Sequence, residues 1–189
     1  MVRKLNANMS STNETIEEVD ENNNPIGVIL KSDAHRDGKW HRVVHIYYIK
    51  PANDSFDFLV HLRAKDKDSS PNRWDTRFGG HIEYTQSIED AVKAEMNQEI
   101  GVKIEIDDLI EGSVRRSVSQ SKKNREFNYV FFYKGDKDES KLTFNDAEVQ
   151  EVRWMSQEEV EDSMLQEPDM WAGNLNEFSS ICEELEKLA

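Results

Sequence analysis

A helix that carries two carboxylates on its apolar face is the feature of this chain that most constrains how it folds. Ser87 is suited to begin that helix and Gly101 to end it, because serine caps helix N-termini and glycine helix C-termini. Its apolar stripe consists of Ile88, Ala91 and Val92. On a helical wheel of about 100° per residue, Glu95 and Glu99 fall about 20° to either side of Ile88, inside that stripe. An unpaired carboxylate facing a core costs several kcal/mol, so we expect a positively charged group there.

Two structural explanations for Glu95 and Glu99 stay open beside a functional one. The pair can mark the point where the helix leaves the core, or it can form ion pairs with a buried Arg or Lys, as acidic residues often do. The functional alternative is that both side chains face a bound metal ion. The residues that flank the pair favour this last interpretation.

The spacing around the pair resembles the Nudix box, whose family pattern is Gly, five residues, Glu, seven residues and Arg-Glu-U-x-Glu-Glu-x-Gly-U, where U is bulky and apolar. Counted from Gly80 without a gap, the pattern is met at Glu95, Met96, Glu99, Gly101 and Val102. It is not met at Gln86, Ala94 and Gln98, which replace a Glu, an Arg and a Glu. Segment 80–102 is therefore similar to a Nudix box with three departures.

The resemblance implies a loop-helix-loop whose carboxylates hold Mg²⁺ or Mn²⁺ against a diphosphate while a phosphoanhydride is cleaved. Mg²⁺ is commonly held by one or two carboxylates plus substrate phosphates. Glu95 and Glu99 are the expected metal ligands and catalytic residues, and Gly80 is expected to contact the substrate. Gln98 adds only an uncharged amide oxygen, and Ala94 lacks the guanidinium that would orient the carboxylates. We therefore expect weaker metal binding than in a complete box.

The likeness extends beyond the box to the Nudix branch that includes type 1 isopentenyl-diphosphate isomerase. The matching stretches lie at 19–27, 34–42, 59–68 and 71–81, and the likeness covers most of residues 15–155. Their order and spacing support the resemblance more than any single stretch does.

One position of that branch separates isomerase from hydrolase chemistry. The isomerase protonates an alkene with a cysteine two residues before a metal-binding histidine, and here His81 has the histidine's place while Gly79 has the cysteine's. The resemblance also implies His41 and Glu126 as metal ligands, with Asn124 where a further carboxylate is expected. A structural role for His81 in a turn stays open beside the metal role.

The charge of the chain bears on its partners. A formal net charge of -14 argues against a face for extended duplex nucleic acid, because phosphate affinity needs Lys or Arg. A small phosphorylated substrate needs only a metal ion and a local cation, and Arg63 and Arg77 near the box are the candidates. No apolar run approaches about 18 residues, so the sequence predicts no membrane partner and a cytoplasmic location. The family resemblance also admits a homodimer.

The resemblance implies an α/β/α sandwich with a mixed central sheet. Residues 1–14 are polar and predict a flexible tail, and 15–189 predict a single domain. The sequence patterns predict helices at 87–99, 156–165 and 170–188. They predict strands at 15–19, 26–30, 41–49, 56–63, 103–106, 113–119, 126–133 and 149–154.

Three functional hypotheses follow. The leading one is a Mg²⁺- or Mn²⁺-dependent Nudix hydrolase acting on a nucleoside diphosphate-type or related diphosphate substrate. The second is a nucleotide-binding or regulatory Nudix protein with little turnover, motivated by the three departures from the box. The third is isopentenyl-diphosphate isomerisation, which Gly79 disfavours.

Overall fold

The fold is that of a computed structural model. The structure describes residues 14–53, 55–67, 69–119, 121, 123–145 and 147–189. The flexible tail expected at 1–14 lies outside the described residues except for Glu14, whose carboxylate pairs with Lys31 at 2.8 Å.

An eight-stranded mixed sheet forms the centre of the described chain. Its strands are β1 (Thr15–Val19), β2 (Pro25–Leu30), β3 (Trp40–Ala52), β4 (Ser55–Arg63), β5 (Trp74–Asp75), β6 (Leu109–Ser119), β7 (Asn124–Lys134) and β8 (Val149–Ser156). β3 pairs in parallel with β7 along one edge. Along its other edge, the first residue of β3 pairs with β1 and the last residues of β3 pair with β4. Between these two pairings, residues 78–81 form hydrogen bonds with the middle of β3. β3 is therefore the strand from which the site is built.

Helices cover both faces of the sheet. They are α1 (Lys31–Asp37), α2 (Ile88–Ile100), α3 (Gln157–Gln166) and α4 (Leu175–Leu188). α2 buries Val92 and Met96 in one cluster with Val44 of β3. α3 and α4 form a second cluster on the opposite face, which includes Tyr47 of β3 and Phe132 of β7. This arrangement confirms the α/β/α sandwich expected from the sequence.

Both ends of α2 follow from the residues that were expected to cap it. The Ser87 hydroxyl accepts a hydrogen bond from the Asp90 amide at 3.0 Å, which satisfies one of the free donors of the first turn. Gly101 ends the helix with a left-handed φ of 67°. Ala91 and Ile100 are buried, so the apolar stripe faces the sheet as its spacing predicts.

Two predicted elements differ from the structure, and the short strand β5 was not predicted. Residues 103–106 form no strand, because Ile104 is buried against the α2 cluster without a paired neighbour strand. The last helix begins at Leu175 rather than at 170, since the Asn174 side chain caps it by accepting from the Glu177 amide at 3.0 Å. The short helix α1 was not predicted at all. No helix among the described residues has both the length and the apolar character that membrane crossing requires.

Candidate metal and substrate site

The parallel pairing of β3 with β7 brings His41 and Glu126 together. The two residues are register partners, and His41 Nε2 lies 3.6 Å from Glu126 Oε1. His41 is fully buried, and its Nδ1 is 2.9 Å from the carbonyl oxygen of Lys39. Because a carbonyl only accepts, Nδ1 carries a proton, and Nε2 is the ring nitrogen that remains for Glu126 or for a bound ion. Nε2 has no hydrogen-bond partner among the described residues.

Two more histidines complete a four-residue cluster. His35 comes from α1 and His81 from the loop before α2, and their Nε2 atoms are 3.0 Å apart. His81 is placed by a bridge between its backbone and Val43 of β3. The donor atoms of His35, His41, His81 and Glu126 all lie within 4.8 Å of one another. The structure therefore places His81 in a turn and also beside three other side chains of types that bind metal ions.

The protonation states of the cluster suit a cation. Burial lowers the pKa of both His35 and His81, so these imidazoles are neutral at pH 7, the form that binds a metal ion. Burial opposes ionisation of Glu126, but contacts with His41 and Asn124 outweigh it and lower the pKa of the carboxyl. The Asn124 amide donates to Glu126 Oε1 at 2.6 Å. Three imidazoles and one carboxylate form a donor set that fits a divalent metal ion.

The two glutamates of α2 meet the chain immediately before His81. Glu99 is 4% exposed, and its Oε1 lies 3.5 Å from the backbone nitrogen of Gly79. The Glu95 carboxylate fills the space that a side chain at Gly80 would occupy. Residues 79–81 therefore separate two sets of donors, the carboxylates of α2 on one side and the histidine cluster on the other.

Gly79 is required by the backbone. Its φ is 139°, and a Cβ atom there would overlap the carbonyl oxygen of Val44. A cysteine at this position would meet the same overlap, so the backbone itself excludes the thiol that isomerase chemistry needs.

The predicted substrate-binding arginines converge on a buried carboxylate. Arg77 Nε lies 3.0 Å from Asp75 Oδ1, and Arg63 Nη1 lies 3.5 Å from Asp75 Oδ2. Burial alone would raise the pKa of Asp75, but the positive charge of Arg77 and its neighbours outweighs burial and lowers that pKa to about 2. Asp75 in turn raises the pKa of Arg77. The structure thus joins the two arginines through a residue that the sequence patterns did not single out.

The residues that depart from the Nudix box lie apart from the cluster. The Gln86 side chain accepts a hydrogen bond from the Glu83 amide at 3.0 Å, within its own loop. Gln98 is exposed on α2, and its backbone carbonyl accepts from the Asn145 amide at 3.0 Å.

Sequence reasoning identified His41, His81 and Glu126 through the family resemblance but missed His35. The available signal was the position of His35 six residues before His41, on the other side of Gly38, which ends α1 in a left-handed conformation. The helix that carries His35 has only seven residues and no apolar periodicity, so the sequence pattern did not predict it.

The sandwich, with two carboxylates of one helix set against a glycine pair, defines the Nudix class of fold. The NUDIX domain family matches residues 39–175, and this chain belongs to that family. An uncharacterized Nudix hydrolase of Clostridium acetobutylicum is 29% identical over 69% of this chain and 64% of its own length. Nudix hydrolase 3 of Arabidopsis thaliana is 33% identical over 53% of this chain, which matches only 13% of that protein.

Isomerases are also among the relatives. The isopentenyl-diphosphate Delta-isomerase of Photobacterium profundum is 25% identical over 81% of this chain and 85% of its own. A crystal structure of a Deinococcus radiodurans protein matches with a TM-score of 0.69 and 22% identity over 89% of this chain and 99% of that one. The NUDIX domain of Shewanella oneidensis NrtR, complexed with ADP ribose, has a TM-score of 0.59 and 16% identity. The match covers 77% of this chain and 88% of that one. These two structures show the shared fold.

Proposed function

We propose that the protein is a divalent-metal-dependent Nudix hydrolase that cleaves a phosphoanhydride in a nucleoside diphosphate-type or related diphosphate substrate. The observation that carries the proposal is the position of Glu95 and Glu99 against Gly79 and Gly80, one residue from the histidine cluster. Carboxylates on an otherwise apolar helix face thereby come next to a cluster of histidines and a glutamate, which would bind a metal ion. Family membership supports the same class of reaction.

The two donor sets suit different ions. Glu95 and Glu99 offer carboxylate oxygens, which suit Mg²⁺ or Mn²⁺, and the exposed Gln98 would add an amide oxygen from the solvent side. The imidazoles around Glu126 favour a transition-metal ion over Mg²⁺. Of the two proposed ions, Mn²⁺ is therefore the better candidate at the histidine cluster. A bound ion would neutralise phosphate charge and polarise the attacking water.

Side chains of the protein would orient the attacking water, accept its proton and bind the phosphates. Glu95 and Glu99 would orient the attacking water, and either carboxylate would accept its proton. Arg63 and Arg77 would supply cationic donors to phosphate oxygens while Asp75 holds their side chains in place. Gly80 has no side chain, so its backbone would lie close to the diphosphate. The partner is then a phosphorylated small molecule; the homodimer and the cytoplasmic location stay predictions from the sequence.

One observation favours the second hypothesis, a binding or regulatory protein with little turnover. Gln86 replaces a box carboxylate and uses its side chain inside its own loop. If the retained glutamates do not suffice for catalysis, the same site would still bind a metal–diphosphate complex. Isomerisation is disfavoured by the backbone at Gly79.

The test is a turnover assay of the purified protein with Mg²⁺ or Mn²⁺. The substrates are nucleoside diphosphates, dinucleoside polyphosphates, nucleotide sugars and isopentenyl diphosphate. We expect release of phosphate or nucleoside monophosphate that Glu99→Gln lowers by at least about a hundredfold. Glu89→Gln, the same change at an exposed position of α2, is the matched control. Tight binding without turnover would favour the regulatory protein, and an allylic product would contradict the argument from Gly79.

A further inference from the structure

We propose that a polar strip formed by His45 of β3 and Asn128 of β7 recognises a hydroxyl- or amino-bearing group of the substrate. The strip would select a nucleoside- or sugar-linked diphosphate over a prenyl diphosphate. This inference rests on the proposed function and deepens it by naming the class of the group attached to the diphosphate.

The polar strip lies on the same face of the sheet as the histidine cluster. Side chains alternate along a strand, so Asn128 lies on the same face as Glu126 and His45 on the same face as His41. Asn128 pairs with Val43 of β3 on one side. The first residue of the strip is therefore a neighbour of the cluster, about 7 Å along β7 from Glu126.

His45 extends the strip toward the arginine pair. Burial and then the charge of Arg77 lower the pKa of His45 to about 4, while the negative charge of Glu126 acts in the opposite direction. A bridge between Ile46 and Phe78 also brings the segment that contains Arg77 beside β3 next to His45. Its imidazole is neutral at pH 7, with one donor and one acceptor nitrogen.

Asn128 shows what kind of group the strip accepts. The residue is 9% exposed, and its Oδ1 has no hydrogen-bond partner among the described residues. A buried acceptor without a partner is costly, and a hydroxyl or amino group of a ligand would satisfy it. An amide and a neutral imidazole carry no net charge. They suit a base or a sugar better than a further phosphate.

The same acceptor works against a hydrocarbon group. A prenyl chain has no donor, so it would leave Oδ1 buried without a hydrogen bond, whereas a ribose or an amino group would pair with it. Sites built to bond a polar group reject analogues that lack the group much more strongly than apolar pockets reject a missing methylene. The strip is therefore a specificity determinant, and it takes no part in the cleavage itself.

The test measures binding without turnover. Calorimetric titrations with Mn²⁺ would use two ligands that cannot be hydrolysed, α,β-methylene ADP-ribose and isopentenyl methylenediphosphonate. We expect Asn128→Leu to weaken the first ligand by about 10- to 100-fold and to leave the second unchanged or tighter. Asn97→Leu, the same replacement at an exposed position of α2, is the control. Asn128→Ser provides a second variant if the leucine variant does not fold.

The outcomes separate this inference from the proposed function. Equal weakening of both ligands, no weakening of either, or no binding of the ADP-ribose analogue by the parent protein would each overturn the polar strip. If the expected selectivity appears in a protein that hydrolyses nothing, the strip stands and the hydrolase proposal fails. If hydrolysis is found but Asn128→Leu binds both ligands as the parent does, only the strip fails.

Discussion

His41 and Glu126 occupy opposite positions in the parallel register of β3 and β7, and their side chains approach to 3.6 Å. Because Nδ1 of His41 donates to the Lys39 carbonyl, Nε2 is the nitrogen that faces the carboxylate. A cation between the two groups would satisfy both. This relationship, together with the two other histidines, makes the cluster a candidate metal site.

Replacing His81 by Gln should weaken Mn²⁺ binding by at least about tenfold, because the cluster loses an imidazole ligand. The measurement is a titration of Mn²⁺ followed by electron paramagnetic resonance. His45→Gln is the matched control, since His45 lies on β3 outside the cluster. Unchanged Mn²⁺ binding by the His81 variant would contradict a metal role for the histidines.

Replacing Gly79 by Cys should destabilise the fold by about 2–4 kcal/mol and yield no isomerase activity. The new Cβ would overlap the Val44 carbonyl oxygen in a backbone conformation that L residues rarely adopt. Urea unfolding measures the loss, with Gly27→Cys as the control because a Cβ at Gly27 meets no atom within 4 Å. A Gly79 variant as stable as the parent would show that the backbone does not require glycine there.

Replacing Asp75 by Asn should cost about 3–5 kcal/mol at pH 7, because Arg77 and Arg63 lose their buried counter-charge. Urea unfolding at pH 7 measures this cost. Asp57→Asn is the control, since it removes only the half-buried pair with Lys50 and should cost less than about 1 kcal/mol.

The same carboxylate gives a pH dependence with a defined sign. The pKa of Asp75 is about 2 in the folded protein against the ordinary 3.8, so ionised Asp75 stabilises the fold above about pH 4. This contribution, about 2 kcal/mol, is lost as the pH falls from about 4 to 2. The gap in unfolding free energy between the parent and Asp75→Asn should therefore narrow over that range. A constant gap would contradict the low pKa.

Replacing Ser87 by Ala should lower stability by about 1 kcal/mol, because the Asp90 amide loses the hydroxyl that accepts its hydrogen bond. Ser87→Asp should restore most of the loss, since an aspartate also accepts at the first position of a helix. Thermal unfolding followed by circular dichroism compares the two variants. A Ser87→Ala variant as stable as the parent would show that the cap contributes little.

Local signals account for what the sequence predicted well. The bounds of α2 depend on Ser87 and Gly101, and both act through atoms of their own turn of the helix. The strands around β3 were found because their β-branched and aromatic runs reflect burial on both faces of the sheet. Ile104 shows the limit of such patterns, because burial alone does not create a partner strand.

The candidate site depends on contacts that no local pattern contains. His35 meets His81 only because residues 78–81 return to bond with β3, and Asp75 meets Arg63 only through the pairing of β4 with β5. The spacing of the box identified Glu95 and Glu99, but it gave no information on the side chains across Gly79 and Gly80.

The histidine cluster draws its donors from a short helix, from the loop before α2 and from two strands that lie far apart in the chain. Loop closure over such distances comes late, so the donors meet only in a nearly complete domain. A metal ion bound to the native state alone adds its binding free energy to the free energy of unfolding. The ion would thus stabilise only the correctly assembled domain. In a chain with β7 out of register, Glu126 would not meet the three histidines, and the ion would not bind.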